Sequence, residues 1–231
     1  MLLPILLLSL AGGEDRAARI DACLEGKTTR WLQDTSVVEA ALRDALAPEA
    51  TRLRPGNVRQ LEYAEGSFAR EPLEYAVRLP LDFGKREGPW PLVLTLPEDG
   101  EAPERHLRDR WQDRELLRQA ILVSPAMPED PAAWSQVVVL GQPGGLARVM
   151  TTLRLCTEAF DVDPDRVLCV GTGEGGVAAL EAGRQFPQSF AGIACRASDA
   201  GIDQVDVLCN LPIRITVGGP ERNFFGFPCI N

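Results

Sequence analysis

The sequence predicts an α/β protein: a three-layer sandwich around a mainly parallel central sheet, shortened at its C-terminus and preceded by a helical extension. Three observations carry that expectation. Uninterrupted apolar runs at Leu92–Leu96 and Ala120–Val123 suit strands covered on both faces, and "RVLCVG" reads as a further strand. Between the last of these and its neighbours lie stretches whose apolar residues recur at helical spacing, such as Leu146, Val149, Leu153, Cys156 and Phe160. Strand and helix then alternate through the second half of the chain, which is the order of parallel strands joined by crossover helices.

The elements follow in chain order. Leu2–Leu10 is apolar, the small residues Ala11, Gly12 and Gly13 follow, and then charge appears, so residues 1–13 read as a signal peptide although no Lys or Arg precedes them. Export to the periplasm or the outside is the expectation. No other stretch approaches the roughly 20 apolar residues of a spanning helix, so no integral membrane segment is expected after signal removal. Residues 14–60 read as a helical N-terminal extension. Ser36 and Glu39 stand at capping-box spacing, Val38, Ala41, Leu42, Ala45 and Leu46 share a face, and Pro48 ends the run.

The α/β domain is placed at residues 61–231. It opens with a hairpin, "QLEYA" and "PLEYAVRLP", in which Leu73, Tyr75, Val77 and Leu79 alternate with Glu74, Ala76 and Arg78 as in a half-exposed pair. The strands at Leu92–Leu96 and Ala120–Val123 come next. Between them "ERHLRDRWQDRELLRQ" reads as one solvated amphipathic helix, with His106 on its surface. "QVVVL" at Gln136–Leu140 is a further candidate strand, and "GQPGG" after it is a turn. Then come the helix through Leu146–Phe160, the strand "RVLCVG", the helix "GGVAALEAGRQF", the strand "FAGIAC", a short helix or loop "QVDVLC" and the strand "LPIRITVGG".

Composition narrows the function classes. The chain has 231 residues, 45% hydrophobic and 25% charged, enough for one domain with a core. A formal net charge of -9 without a run of Lys or Arg argues against nucleic acid, whose phosphates require a basic stripe. The six cysteines, Cys23, Cys156, Cys169, Cys195, Cys209 and Cys229, show no C-x-x-C spacing, so neither a metal site nor a redox pair is expected. Cys169 and Cys195 read as small buried hydrophobes. Cys209 and Cys229 are a candidate disulfide of an exported protein.

The chemistry centres on "VGTGEGGVAAL", Val170–Leu180, a glycine-rich turn between strand and helix. Gly171, Gly173 and Gly176 spell G-x-G-x-x-G, which in a dinucleotide fold cradles a pyrophosphate, and Arg196 at the end of the next strand would suit NADP. That fingerprint normally opens its fold, whereas too little chain follows Gly176 to build both halves. The same turn also has the frame of G-x-S-x-G, with Gly173 where the nucleophilic serine belongs.

The flanks favour the second frame. "FDVDPDRVLCVGTGEGGVAALEAGRQFPQSFAGIAC" resembles the nucleophile-elbow region of the α/β-hydrolase superfamily in its esterase, dienelactone-hydrolase and prolyl-oligopeptidase branches. Phe186, Pro187, Phe190 and Ala191 match the end of its elbow helix. "YAVRLPLDFGKREGPWPLVLTLPEDGE" is similar to the superfamily's opening hairpin and the strand leading to its oxyanion loop. The resemblance covers roughly Leu61–Glu221 and implies the α/β-hydrolase fold.

Carried over residue by residue, the resemblance leaves the catalytic set incomplete. Gly173 has no atom with which to attack a carbonyl, and the Thr172 side chain should point away from the elbow tip. Pro97 stands where the superfamily shows His, ahead of Glu98, Asp99 and the matching Gly100, and proline offers no N–H to an oxyanion. Glu221 falls at the position of the triad acid. No histidine follows it, since the sole histidine is His106, ahead of the elbow.

The expectation is therefore an exported hydrolase-fold protein without hydrolytic activity. Its cleft, bordered by Gly100, Gly171, Thr172, Gly173, Glu174 and Gly175, would take a small molecule or an ester-like compound without cofactor or metal. An active ester hydrolase with a non-standard site and an NADP-binding fragment are the alternatives.

Overall fold

The structure is a computed structural model that describes residues 53–63, 73–85, 88–198, 208 and 210–216. The chain divides into a unit of Arg54–Cys156 with Asp161–Asn231 and a second of Met1–Leu53 with Thr157–Phe160. The signal peptide, nearly all of the N-terminal extension, Cys23, Cys209, Cys229 and Glu221 lie outside the described residues.

Seven strands form the sheet: β1 Val58–Tyr63, β2 Leu73–Arg78, β3 Trp90–Leu96, β4 Ile121–Pro125, β5 Val162–Thr172, β6 Gly192–Arg196 and β7 Ile213–Thr216, in the order β1-β2-β4-β3-β5-β6-β7. β1 and β2 form the expected hairpin, and β2 runs antiparallel to β4. The ladder from β4 through β3, β5 and β6 to β7 is parallel. β3 and β4 are buried along almost their whole length, as their uninterrupted apolar runs require of strands with both faces covered.

Helices flank the sheet: α1 Pro103–Asp109, α2 Leu116–Gln119, α3 Gly145–Ala159 and α4 Glu174–Gln185. On one face Leu107 of α1 and Leu117 of α2 pack with Ala76, Val93 and Leu122. On the other, α4 lies so close to β6 that a Cβ on Gly183 would stand 2.7 Å from Ile193 Cγ1. The three layers predicted from the alternation of elements are thus present. Leu146, Val149, Leu153 and Cys156 are buried along α3, as their helical spacing predicts.

Three local expectations change. The charged stretch between β3 and β4 is not one helix but α1 and α2, separated by Arg110–Glu115. Ala76 is fully buried rather than outward, because β2 is an interior strand with α1 over that face. In "QVVVL" only Val138–Val139 is extended; it pairs with Gln142–Pro143 outside the main sheet. Leu140 and Gly141 turn the chain there with φ of 49° and 76°, the two positive angles of a tight hairpin turn.

Candidate functional site

Strand order fixes where a site can form. The chain passes outward from β3 to β4, then crosses back to β5 on the far side of β3, so the loops after β3 and β5 leave the sheet next to one another. Such a switch of direction opens a crevice at the carboxyl ends of the strands. Leu96, the last residue of β3, is in register with Gly171. The loop Pro97–Glu101 therefore faces the turn Gly171–Gly175, and the structure brings together the two segments singled out from the sequence.

The turn is built on glycine for steric reasons that differ by position. A Cβ on Gly171 would overlap the Gly175 carbonyl, and one on Gly175 would overlap the Pro97 carbonyl. At Gly173, between β5 and α4, the requirement is conformational: φ is 57° and ψ -127°, a region costly for residues with a Cβ. Its amide donates to the Arg196 carbonyl at 3.0 Å, and its carbonyl accepts from Gly176 N at 2.9 Å. There is room at this position, since the one atom within 4 Å of a Cβ added to Gly173 would be Glu98 Cγ at 3.7 Å. Thr172 is half-buried and Glu174 is exposed.

This geometry separates the two frames of the glycine motif. In a nucleotide fold the glycine loop follows the first strand of the parallel sheet, whereas here it follows β5, third of the parallel strands along the chain. Glu98 also places a carboxylate-bearing side chain over the second glycine, where a pyrophosphate would need to approach. A sharp strand-to-helix turn with its middle residue at positive φ is the shape of the hydrolase elbow.

The loop facing the elbow offers little to an oxyanion. Pro97 is buried and has no N–H, and the Glu98 amide is directed to Glu101 Oε2, at 3.5 Å. Gly100 turns the exposed tip with φ of 70°. Arg110 ties the loop down by hydrogen bonds to Glu98 at 3.3 Å and Glu101 at 3.2 Å.

Beneath this loop stands the largest departure from expectation. His106 is not on the surface: it is 3% exposed. Its burial is tolerated because both ring nitrogens are satisfied, Nε2 by Thr95 Oγ1 at 2.7 Å and Nδ1 by Glu101 Oε2 at 2.8 Å. Trp111 Nε1 donates to Thr95 Oγ1 at 3.0 Å. Indole can only donate and carboxylate only accept, which orders the chain of protons. Trp111 donates to Thr95, the Thr95 hydroxyl donates to Nε2, and Nδ1–H donates to Glu101.

Electrostatics agree with a neutral imidazole. Burial pushes the His106 pKa below its ordinary value and outweighs the opposing pull of Glu101. For Glu101, burial alone would raise the pKa, but hydrogen bonds from His106 and Arg110 hold it below the usual carboxylate value. Thr95, Glu101, Arg110 and Trp111 were not singled out from the sequence. The available signal was that Pro103, His106 and Leu107 share one helical stripe and are all buried.

The described cysteines are free and buried, with burial raising Cys156 to about 12 and Cys195 to about 11. No cluster of metal-ligating side chains occurs among the described residues. Nor is any helix among them long and apolar enough to cross a membrane.

No protein-family model and no curated protein sequence matches the chain. Solved structures do. A thermostable esterase superposes with a TM-score of 0.55 at 18% identity over 68% of this chain and 45% of its own. An S-formylglutathione hydrolase from Agrobacterium tumefaciens gives 0.55 at 12% identity over 72% of this chain and 88% of its own. An IroE-like serine hydrolase from Shewanella oneidensis gives 0.52 at 16% over 74% and 64%. The chain thus matches less than half the length of the first of these. At such identities the likeness establishes the fold, which is the α/β-hydrolase fold that the elbow region implied.

Proposed function

We propose that this protein uses an α/β-hydrolase fold to bind a small molecule, ester-like or derived from an ester, and does not hydrolyse it. The observation that carries the reading is Gly173: the elbow keeps its backbone shape at φ 57° and ψ -127° but presents no nucleophilic atom. A ligand would lie at the carboxyl ends of β3 and β5, where the walls are backbone and loop rather than the missing side chain. Gly100, Thr172, Glu174 and Gly175 would line the site. The apolar run Leu2–Leu10 supports export as the setting.

One observation favours a second reading, an active ester hydrolase with an unusual site. Thr95, His106 and Glu101 stand in the order hydroxyl, imidazole, carboxylate, with contacts of 2.7 and 2.8 Å. Geometry of this kind activates a nucleophile when a substrate can reach it. Thr95 is 1% exposed and its oxygen is already occupied by Trp111, so an acyl group has no path to it.

A fluorophosphonate probe decides between them. The wild-type protein should remain unlabelled, while small-molecule mixtures should shift the amide resonances of Thr172–Gly175. Covalent labelling, at Thr95 or elsewhere, would overturn the binding reading in favour of the hydrolase. Absence of any ligand-induced shift at the elbow would remove the binding site itself.

A further inference from the structure

The buried chain of protons under the loop Pro97–Glu101 has a property that a static hydrogen-bond network does not require. Its central member is the sole histidine, the side chain whose ordinary titration falls between about pH 5 and 8. His106 joins three pieces: β3 through Thr95, the loop after β3 through Glu101, and α1, on which it sits. The same loop carries Glu98, whose side chain is the neighbour of Gly173.

We propose that Thr95, His106 and Glu101 form a proton-operated latch: when the imidazole takes a second proton from solvent, α1 and the loop Pro97–Glu101 part from β3 and Glu98 leaves the elbow. This goes beyond the binding reading and does not depend on it.

Donors and acceptors balance in only one protonation state. With Nε2 unprotonated, every polar hydrogen in the chain has an acceptor. Once Nε2 carries a proton, the Thr95 hydroxyl must accept from both His106 and Trp111. Its own hydrogen is then left without a partner at a position 1% exposed. The imidazolium also sits where water cannot reach it.

The groups facing the ring offer limited relief. Glu101 and Glu98 attract the added charge, but Arg110 behind α1 opposes it and already holds both carboxylates. β4 presents no titratable group. β2 brings Glu74 and Arg78, and Arg78 is committed to the Gly56 and Trp111 carbonyls at 2.9 and 3.2 Å. β1 brings Glu62 and α2 brings Arg118, both exposed. The opposing effects resolve toward a neutral ring in the closed state, since burial outweighs the carboxylates. Opening is then the route by which the protonated ring regains water.

The test uses the full chain, isotopically labelled and titrated by NMR from about pH 8 to about pH 5, the range in which imidazole changes charge. A single histidine makes the imidazole signal its own assignment, and Trp111→Phe identifies the Trp111 indole N–H. The imidazole should titrate with a midpoint below its ordinary value, and the Trp111 indole signal should move with the same midpoint. Amide exchange over residues 98–110 should rise by roughly tenfold or more across that midpoint. His106→Gln should lose the transition; should that variant fail to fold by circular dichroism, the wild-type titrations decide alone. An imidazole that titrates at or above its ordinary value, or one that titrates while the Trp111 signal and amide exchange stay fixed, overturns the latch. So does an imidazole that remains neutral until the whole protein unfolds.

Discussion

Glu98 stands over Gly173: a β-carbon on the glycine would lie 3.7 Å from the Glu98 Cγ. The contact is ordinary van der Waals separation, so the elbow tip is vacant rather than filled. Vacancy and backbone strain make separate demands on the residue at this position, and substitution can tell them apart.

Gly173→Ser should fold. The side chain has space, but a residue with a β-carbon held at this φ and ψ costs about 1–3 kcal/mol, which urea denaturation would read as a lower midpoint. No esterase turnover should appear, because His106 is sealed beneath the loop and Glu98 is paired with Arg110. Measurable hydrolysis of a nitrophenyl ester by this single variant would mean that a base reaches the elbow after all.

Gly171→Ala should be harsher than Gly173→Ala, although Gly171 is not at positive φ. Its new methyl group would meet the Gly175 carbonyl, and backbone on both sides leaves nothing flexible to give way. A loss of about 3 kcal/mol or more is expected, at the upper end of overpacking costs. Equal destabilisation by the two alanines would mean that conformation, not packing, governs the whole turn.

His106→Ala should cost about 2–4 kcal/mol, because it removes the acceptor of the Thr95 hydroxyl and one partner of Glu101 in a place closed to water. Thr95→Val keeps the volume and removes the hydroxyl, leaving Trp111 Nε1 and His106 Nε2 only their longer contact with each other at 3.4 Å. The two changes share one network, so the double variant should lose less than the sum of the singles. Strict additivity in a denaturation cycle would count against the continuous chain of protons.

Stability should fall on acidification in two stages. The unfolded chain protonates its histidine near 6.5, while the folded state resists until lower pH, so between those values the unfolded state binds more protons and gains. Stability is therefore flat above about pH 6.5 and declines below it. Glu101, also depressed in the folded state, adds a second decline that begins near the ordinary glutamate value of about 4.3. His106→Gln should remove the upper stage and leave other carboxylate-driven losses. A denaturation midpoint that rises as pH falls from 7 to about 5.5 would mean that the folded state, not the unfolded one, takes up the proton more readily.

The sheet was legible because its central strands carry long apolar runs, and the elbow because glycine spacing and flanking residues are local signals. Glu98 and Gly173 meet only through the crossing of β4 to β5, which no local pattern records. His106 was misplaced because its chain neighbours Glu104, Arg105 and Arg108 are charged, whereas the stripe it shares with Pro103 and Leu107 decides burial. Glu101 and Thr95 are the residues that make burial of an imidazole tolerable, and they lie on other elements. Leu168 shows the opposite failure. It belongs to an apolar run yet is 43% exposed, beside a hollow of about 260 Å³ lined by Val170, Gly192, Ala194 and Pro212.

The two sides of the elbow are built from different materials. Behind it, Gly175 sits against the Leu96 and Pro97 carbonyls, Gly183 against Ile193, and the Cys195 thiol reaches the Gly176 carbonyl at 3.2 Å, so α4 rests on the sheet with almost nothing between them. In front of it, α1 is held by Leu107 in the core and the loop Pro97–Glu101 by the polar side chains of Glu101, His106 and Arg110. On the proposed latch, the elbow would have one fixed side and one side that opens. Were a small molecule to bind at the elbow as proposed, substitutions in residues 97–110 should alter its fit more than substitutions in α4.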